Sequence, residues 1–375
     1  MALFTGTPIV IRSTTPWFWL SDYGSRSEFS FGGARYVAGA SQDLNSAIVA
    51  KSTDSGQNWT VFINAETGWS SQFLRMVLDE SSSKLIFIGR KSSQLSTFAF
   101  DLSAETFNTA TALGSNTTSD HELVIRPNGE VFAFYSPTGV SPRPVRYVQI
   151  TAGTFGSPVT FATNASPLSI YGLQSGSDGT IHVIYRKSGT LYYNTLSPAN
   201  VIGGEATIDA SNGPLLGNIL VDEVADQIIA PVAFTANPAS FYLGTPISAP
   251  VWSNVALRAV DGSLSDNEIC CVKDSSVVKF FWQQTDFGGI SRIMTAQWNG
   301  SAVSGYDTWW DMVANPVPGS EAVAADDRFT DGITAWSNGG LLSVVVTAVI
   351  DAALEMSNVY TSLGGSLTGY QNRAY

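Results

Sequence analysis

SDHELVIRPNGEVFAFY, residues Ser119 to Tyr135, joins an apolar strand to a second one through a tight polar turn at Pro127-Asn128-Gly129. Proline presets one turn dihedral and glycine supplies the positive φ that a two-strand reversal needs. The same unit returns as FLRMVLDESSSKLIFIGR from Phe73, IYGLQSGSDGTIHVIY from Ile170, NILVDEVADQIIAPV from Asn218 and NEICCVKDSSVVKFFW from Asn267, with weaker copies near Glu28 and Glu321. The first apolar residues of the second strands, Tyr36, Leu85, Val131, Ile181, Ile228, Val277 and Ile333, stand 49, 46, 50, 47, 49 and 56 residues apart.

Seven markers at a period of about 50 residues are the pattern of a β-propeller with four strands per blade. The expected fold is all-β: one seven-bladed propeller of four-stranded antiparallel blades over residues 1–375. Blades fall near 25–63, 73–112, 120–162, 169–209, 217–256, 266–308 and 320–363. The detached apolar strand Pro8 to Arg12 is expected to join the last blade and close the ring, since an unpaired edge invites aggregation. The tail beyond Leu363, rich in Gly and Ser, is expected to be less ordered.

Composition narrows the function classes. Charged residues make up 13% and aromatics 11%, enough apolar surface for a large core, and the net charge of −12 repels phosphate backbones. Nucleic acid is excluded as a partner, and membrane insertion is not expected, since runs such as Leu341 to Ile350 are too short for a helical span. The start of the chain lacks a basic leader and a cleavage site, so synthesis in the cytoplasm without secretion is expected. Cys270 and Cys271 are adjacent in a strand, point to opposite faces and read as small core hydrophobes. With only His121 and His182 as histidines, no zinc site is expected.

After the strand Ala47 to Ala50, KSTDSGQNWTVFI places Ser52, Asp54, Gly56 and Trp59 in the Ser-x-Asp-x-Gly-x-x-Trp pattern. It resembles the Asp-box, or BNR repeat, of sialidases and related propellers, and covers one hairpin. In that family the box is structural, so Ser52, Asp54, Gly56 and Trp59 are assigned to a turn and not to a ligand. The resemblance also implies three arginines converging on a carboxylate, for which Arg75, Arg90 and Arg186 are the candidates. No Arg-Ile-Pro motif precedes the box, and those enzymes have six blades where seven are counted here.

Aligning the units puts Arg75, Glu122, Tyr171, Asn218, Glu268 and Glu321 at the heads of the strands that line the central channel. SD-x-E occurs twice there, so Asp120, Glu122, Asp266 and Glu268 concentrate carboxylates that could bind Ca²⁺ or act as an acid/base pair. A solvated channel lining is the plainer reading. Ligand-binding candidates at the mouth are therefore Arg75, Asp120, Glu122, Tyr171, Asp266 and Glu268. Trp309 and Trp310 in YDTWWDM are candidates for stacking on sugar rings. No catalytic residue is assigned.

The function expected is a non-catalytic propeller that binds other structural proteins or surface glycan as part of a virion, such as a phage tail, spike or capsid-attached protein. It would be released by lysis. A sialidase-like glycoside hydrolase is the alternative, and an intracellular scaffold the second alternative.

Overall fold

The computed structural model describes residues 8–374 apart from 13–17, 20–27, 42–45, 54–59, 70–73, 117–120, 166–169, 210–214, 217–218, 234–238, 259–263, 287–290, 312–328, 339–340, 352–354, 364–369 and six single positions (93, 138, 141, 152, 188, 275). From residue 307 onward, and in short stretches before it, only the course of the backbone is described.

The described strands form seven sheets in chain order. Sheet 2 runs Arg75–Asp79, Lys84–Lys91, Gln94–Asp101 and an outer edge split into Thr106–Phe107 and Thr111–Asn116. Sheet 3 runs His121–Ile125, Val131–Tyr135, Arg143–Thr151 and the split edge Thr154–Phe155 and Val159–Ala165. Sheet 4 (Ile170–Ser175, Ile181–Lys187, Thr190–Leu196, Ala206–Asp209) and sheet 6 (Leu264–Asp274, Val277–Asp286, Ser291–Trp298, Val303–Asp311) are plain four-strand meanders. Sheet 1 pairs both Phe18–Trp19 and Glu28–Phe31 with Ala34–Ser41, followed by Ser46–Ser52 and Thr60–Ile63. Sheet 5 likewise pairs Leu215–Leu216 and Leu220–Asp222 with Gln227–Ala233, then Ser240–Thr245 and Val251–Ala256. Four sheets therefore hold five elements where four were expected, because one edge strand is broken in two.

Sheet 7 departs in another way. Phe329–Asn338, Leu341–Asp351, Glu355–Leu363 and Tyr370–Ala374 are antiparallel, and Pro8–Arg12 pairs in parallel with Tyr370–Ala374. Of the tail beyond Leu363, expected to be less ordered, Tyr370–Ala374 is a strand with partners on both sides, and 364–369 lie outside the described residues. Ile333, read as a second-strand marker, lies instead in the first strand of this sheet, the one packed on Leu264–Asp274 of sheet 6. The second strand is the apolar run from Leu341, 64 residues after Val277, so the last interval is longer still than the 56 residues counted to Ile333.

The apolar runs follow from burial on two faces. In Val131–Tyr135 every residue is buried: Val131, Ala133 and Tyr135 pack on sheet 2, while Phe132 and Phe134 pack on sheet 4. In Lys84–Lys91, Leu85 and Phe87 join the core with sheet 1, and Ile86 and Ile88 the core with sheet 3. Further cores lie between sheets 4 and 5 and between 5 and 6, the latter holding Cys271, whose thiol is pushed up by burial. Meander sheets packed face to face in sequence are propeller architecture.

Candidate functional site

The heads of the inner strands bring two candidates together. Arg75, buried at the start of sheet 2, donates Nε–H to Glu122 Oε1 of sheet 3 at 2.8 Å, and its Nη1 reaches the carbonyl of Leu74 at 3.3 Å. Equivalent positions in adjacent sheets are neighbours, so a cation and a carboxylate 47 residues apart neutralise each other. Arg90 and Arg186 stand on the second strands of sheets 2 and 4, two separate sheets with sheet 3 between them.

Tyr171 and Glu268 share an unexpected feature. Each is the extra residue of a β-bulge, between the pairs Ile170↔Tyr185 and Gly172↔Ile184 and between Asn267↔Gln283 and Ile269↔Trp282. Asp331 of sheet 7 is a third, between Thr330↔Ala348 and Gly332↔Thr347. Bulges bend a strand and re-aim the residue they carry. Asp331 stands where the repeat pattern puts Glu321, and Glu321, Asn218 and Asp120 lie outside the described residues. Asp266 sits opposite Gln284 in sheet 6, and Trp309 and Trp310 lie on that sheet's outer strand, all three by backbone only. In the Asp-box, Ser52 ends its strand buried, and Asp54, Gly56 and Trp59 lie outside the described residues. Among the described residues no group of three His, Cys, Asp or Glu is arranged to hold a metal. Among the described residues there is no helix long and apolar enough to cross a membrane.

The opposite end, where inner and second strands turn, is richer in polar contacts. Arg126 is buried and donates Nη2–H to the carbonyl of Ser197 at 2.6 Å, with Nη1 shared between Pro198 O at 3.3 Å and Glu130 at 3.0 Å. Its guanidinium also lies 4.4 Å from the Phe132 ring centre. Sheets 3 and 4 are thus stapled. Between sheets 4 and 5, Glu223 accepts the Ser177 N–H at 2.5 Å and Gln174 Oε1 accepts the Val221 N–H at 2.7 Å. Between sheets 5 and 6, Lys273 bonds Asp222, and the Trp298 indole reaches Gln227 at 3.5 Å.

Sheets 2 and 3 differ. Asp79 accepts the N–H and O–H groups of Ser81 and Ser82 in its own turn, and Glu130 accepts from Arg126, Asn128 and Gln149 of its own sheet. Burial opposes ionisation of Asp79, but the bonds from the two serines outweigh it and hold the carboxyl below its ordinary range. Two adjoining clefts of about 370 and 380 Å³ open here and share Asp79, Asn128 and Gly129 in their walls.

The turn end of sheet 4 also holds His182, buried, with Nδ1 2.7 Å from Tyr193 Oη and facing Asp178 of its own turn and Glu223 of sheet 5. Burial lowers its pKa below 6.5, against the pull of Asp178 and Glu223. The folded protein thus refuses a proton that the unfolded chain takes up. The stability this contributes is complete above pH 6.5 and declines as pH falls below it. His182→Gln should flatten that part of a plot of Tm against pH; an unchanged slope would contradict the assignment.

No family model matches the sequence, and no curated protein matches it. Solved structures do. The BP39L lectin from Burkholderia pseudomallei is similar at a TM-score of 0.66 and 11% identity, covering 93% of this chain and 98% of the lectin. An ulvan lyase, solved with a bound GlcA–sulfated rhamnose unit, gives 0.58 at 12% identity over 94% and 96%. A prolyl endopeptidase gives 0.54 at 11% identity over 94% of this chain, which spans 50% of that enzyme's length. Identities this low show the fold alone.

Proposed function

We propose that this chain is a seven-bladed propeller, closed into one ring by Pro8–Arg12, that holds surface glycan without turning it over and serves as a component of a virion. The likeness to a lectin over nearly the whole of both chains is the observation that carries glycan binding. Closure is supported by the two ends of the chain sharing sheet 7 and by the approach of Phe18–Trp19 in sheet 1 to Glu355–Leu363 in sheet 7. Binding without turnover is supported by the Arg75–Glu122 ion pair, which commits one candidate arginine and one candidate acid to each other. The virion role rests on composition, few lysines and many Ser, Thr, Gly and Asn residues in surface-type repeats.

The test is a glycan array probed with the purified chain, with the supernatant assayed for released sugar. Retention without release is the expected result. Release that Glu122→Gln or Glu268→Gln abolishes would establish the hydrolase, since loss of a catalytic acid costs roughly 10²-fold or more in rate. Copies of the chain in purified particles would confirm the virion role, and a chain found only free in the cell would refute it.

A further inference from the structure

At the end opposite the inner turns, the interface between sheets 2 and 3 gathers arginine from both sides. Side chains alternate along Lys84–Lys91, so Arg90 lies on the face of Ile86 and Ile88, which pack on sheet 3. Arg146 lies on the face of Val148 and Ile150, which pack on sheet 2, and it stands opposite Tyr135 in register. Two guanidinium groups from facing sheets are thus directed to one end of one interface. Both residues are partly exposed, and neither forms an ion pair among the described residues.

The described carboxylates nearest this end are committed elsewhere. Glu122 is held by Arg75 at 2.8 Å, and Glu66 by Lys91, which lies on the other face of its strand with Phe87. One more polar group at this end lacks a partner. Tyr135 is 2% exposed and ends its strand beside Arg146, and its hydroxyl makes no hydrogen bond. Burial raises the pKa of this phenol and the Arg146 charge opposes the rise, so the two groups are close neighbours. A buried hydroxyl left without a bond costs about 1–3 kcal/mol, and two cations directed to one place repel. An anion between the arginines relieves both, since its oxygens accept from the hydroxyl and its charge offsets the guanidinium groups.

From this arrangement we infer that the end of the 2–3 interface away from its turns binds the acidic group of a glycan, a carboxylate or a sulfate, with Arg90 and Arg146 as its clamps and the Tyr135 hydroxyl as a further donor. The planar guanidinium fork matches the paired oxygens of either group, where an ammonium acts only as a point charge. Arg143 begins the strand that carries Arg146, is also partly exposed, and stands where the next acidic unit of a chain would pass. The acids of the turns do not oppose this, since Asp79 and Glu130 lie at the far end of the same sheets. Nor does the net charge of −12, because at physiological salt charges beyond about 8 Å are largely screened and the nearest groups decide.

This inference rests on the glycan-binding reading and is tested separately from it. The full chain is titrated with hyaluronan oligosaccharides, which carry carboxylates, and with dextran sulfate, which carries sulfates; neutral dextran and oligo-dT are the comparisons. Binding of at least one acidic glycan above dextran is expected, and which one binds separates carboxylate from sulfate. Arg90→Gln and Arg146→Gln should each weaken it about tenfold. Lys84→Gln, at the turn end of the strand that carries Arg90, should leave it unchanged. Tyr135→Phe should weaken it about threefold without lowering Tm, because the hydroxyl has no partner to lose in the free protein. No loss in the two arginine variants, or an equal loss in Lys84→Gln, would overturn this site and leave glycan binding in place. Dextran bound as tightly as the acidic glycans would overturn the acidic class, and oligo-dT bound as tightly would overturn the glycan as its bearer. If no carbohydrate binds at all, the glycan-binding reading fails and this inference with it.

Discussion

Phe98→Ala should lower the free energy of unfolding by about 3–5 kcal/mol, the usual cost of emptying a fully buried aromatic site. Phe98 is wholly buried in sheet 2, stacked on Phe87 with ring centres 4.7 Å apart and 4.5 Å from the Trp69 ring centre. The cluster also holds Tyr36 and Val49 of sheet 1 and Leu85 and Phe100 of sheet 2, so the cavity would open at the interface that joins them. Urea unfolding followed by tryptophan fluorescence measures the loss. A change below about 1 kcal/mol would mean that the ring is not enclosed as described.

Arg126→Met should cost about 2–4 kcal/mol. Methionine keeps the length of the apolar stem over Phe132 and removes every donor, leaving the Ser197 and Pro198 carbonyls and Glu130 without the guanidinium. Arg126→Lys should recover only part of this, since a single ammonium cannot reproduce the planar fork. Hydrogen exchange should quicken first in the turn around Ser197 to Asn200, where sheet 4 is held against sheet 3. Uniform loss of protection across the chain, or none, would show that Arg126 is not an inter-sheet staple.

Strands and turns were legible because each depends on neighbours in sequence. Alternate residues of VFAFY are buried on opposite faces, which explains an unbroken apolar run, and Gly129 takes φ of 86° in the turn that Pro127-Asn128-Gly129 announced. The staples were not legible, since each depends on what stands opposite a turn in the next sheet. In the sequence Arg126 is simply part of a strand unit. Its partners lie 71 and 72 residues away, in a turn of the neighbouring sheet's outer hairpin.

A signal for some of these contacts does exist in the period. Arg75 and Glu122 are 47 residues apart, Gln174 and Val221 are 47 apart, Ser177 and Glu223 are 46 apart, and Asp222 and Lys273 are 51 apart. One period separates equivalent positions in adjacent sheets, so complementary polar groups at that spacing are candidates for contact across an interface. That spacing alone does not make a bond. Asp79 and Arg126 stand 47 residues apart, yet each is engaged elsewhere, Asp79 by its own serines and Arg126 by the far side of its sheet. The bulges at Tyr171, Glu268 and Asp331 left no trace in the pattern, because one inserted residue in an inner strand is absorbed by the variation in loop length.

The central claim is a single ring of seven sheets closed where Pro8–Arg12 meets Tyr370–Ala374. A density map of the purified full-length chain at a resolution that traces strands tests it most directly. Seven sheets around one axis are expected, with the first strand lying parallel beside the last. A ring of six or eight sheets, or an open arc with Pro8–Arg12 detached, would contradict it.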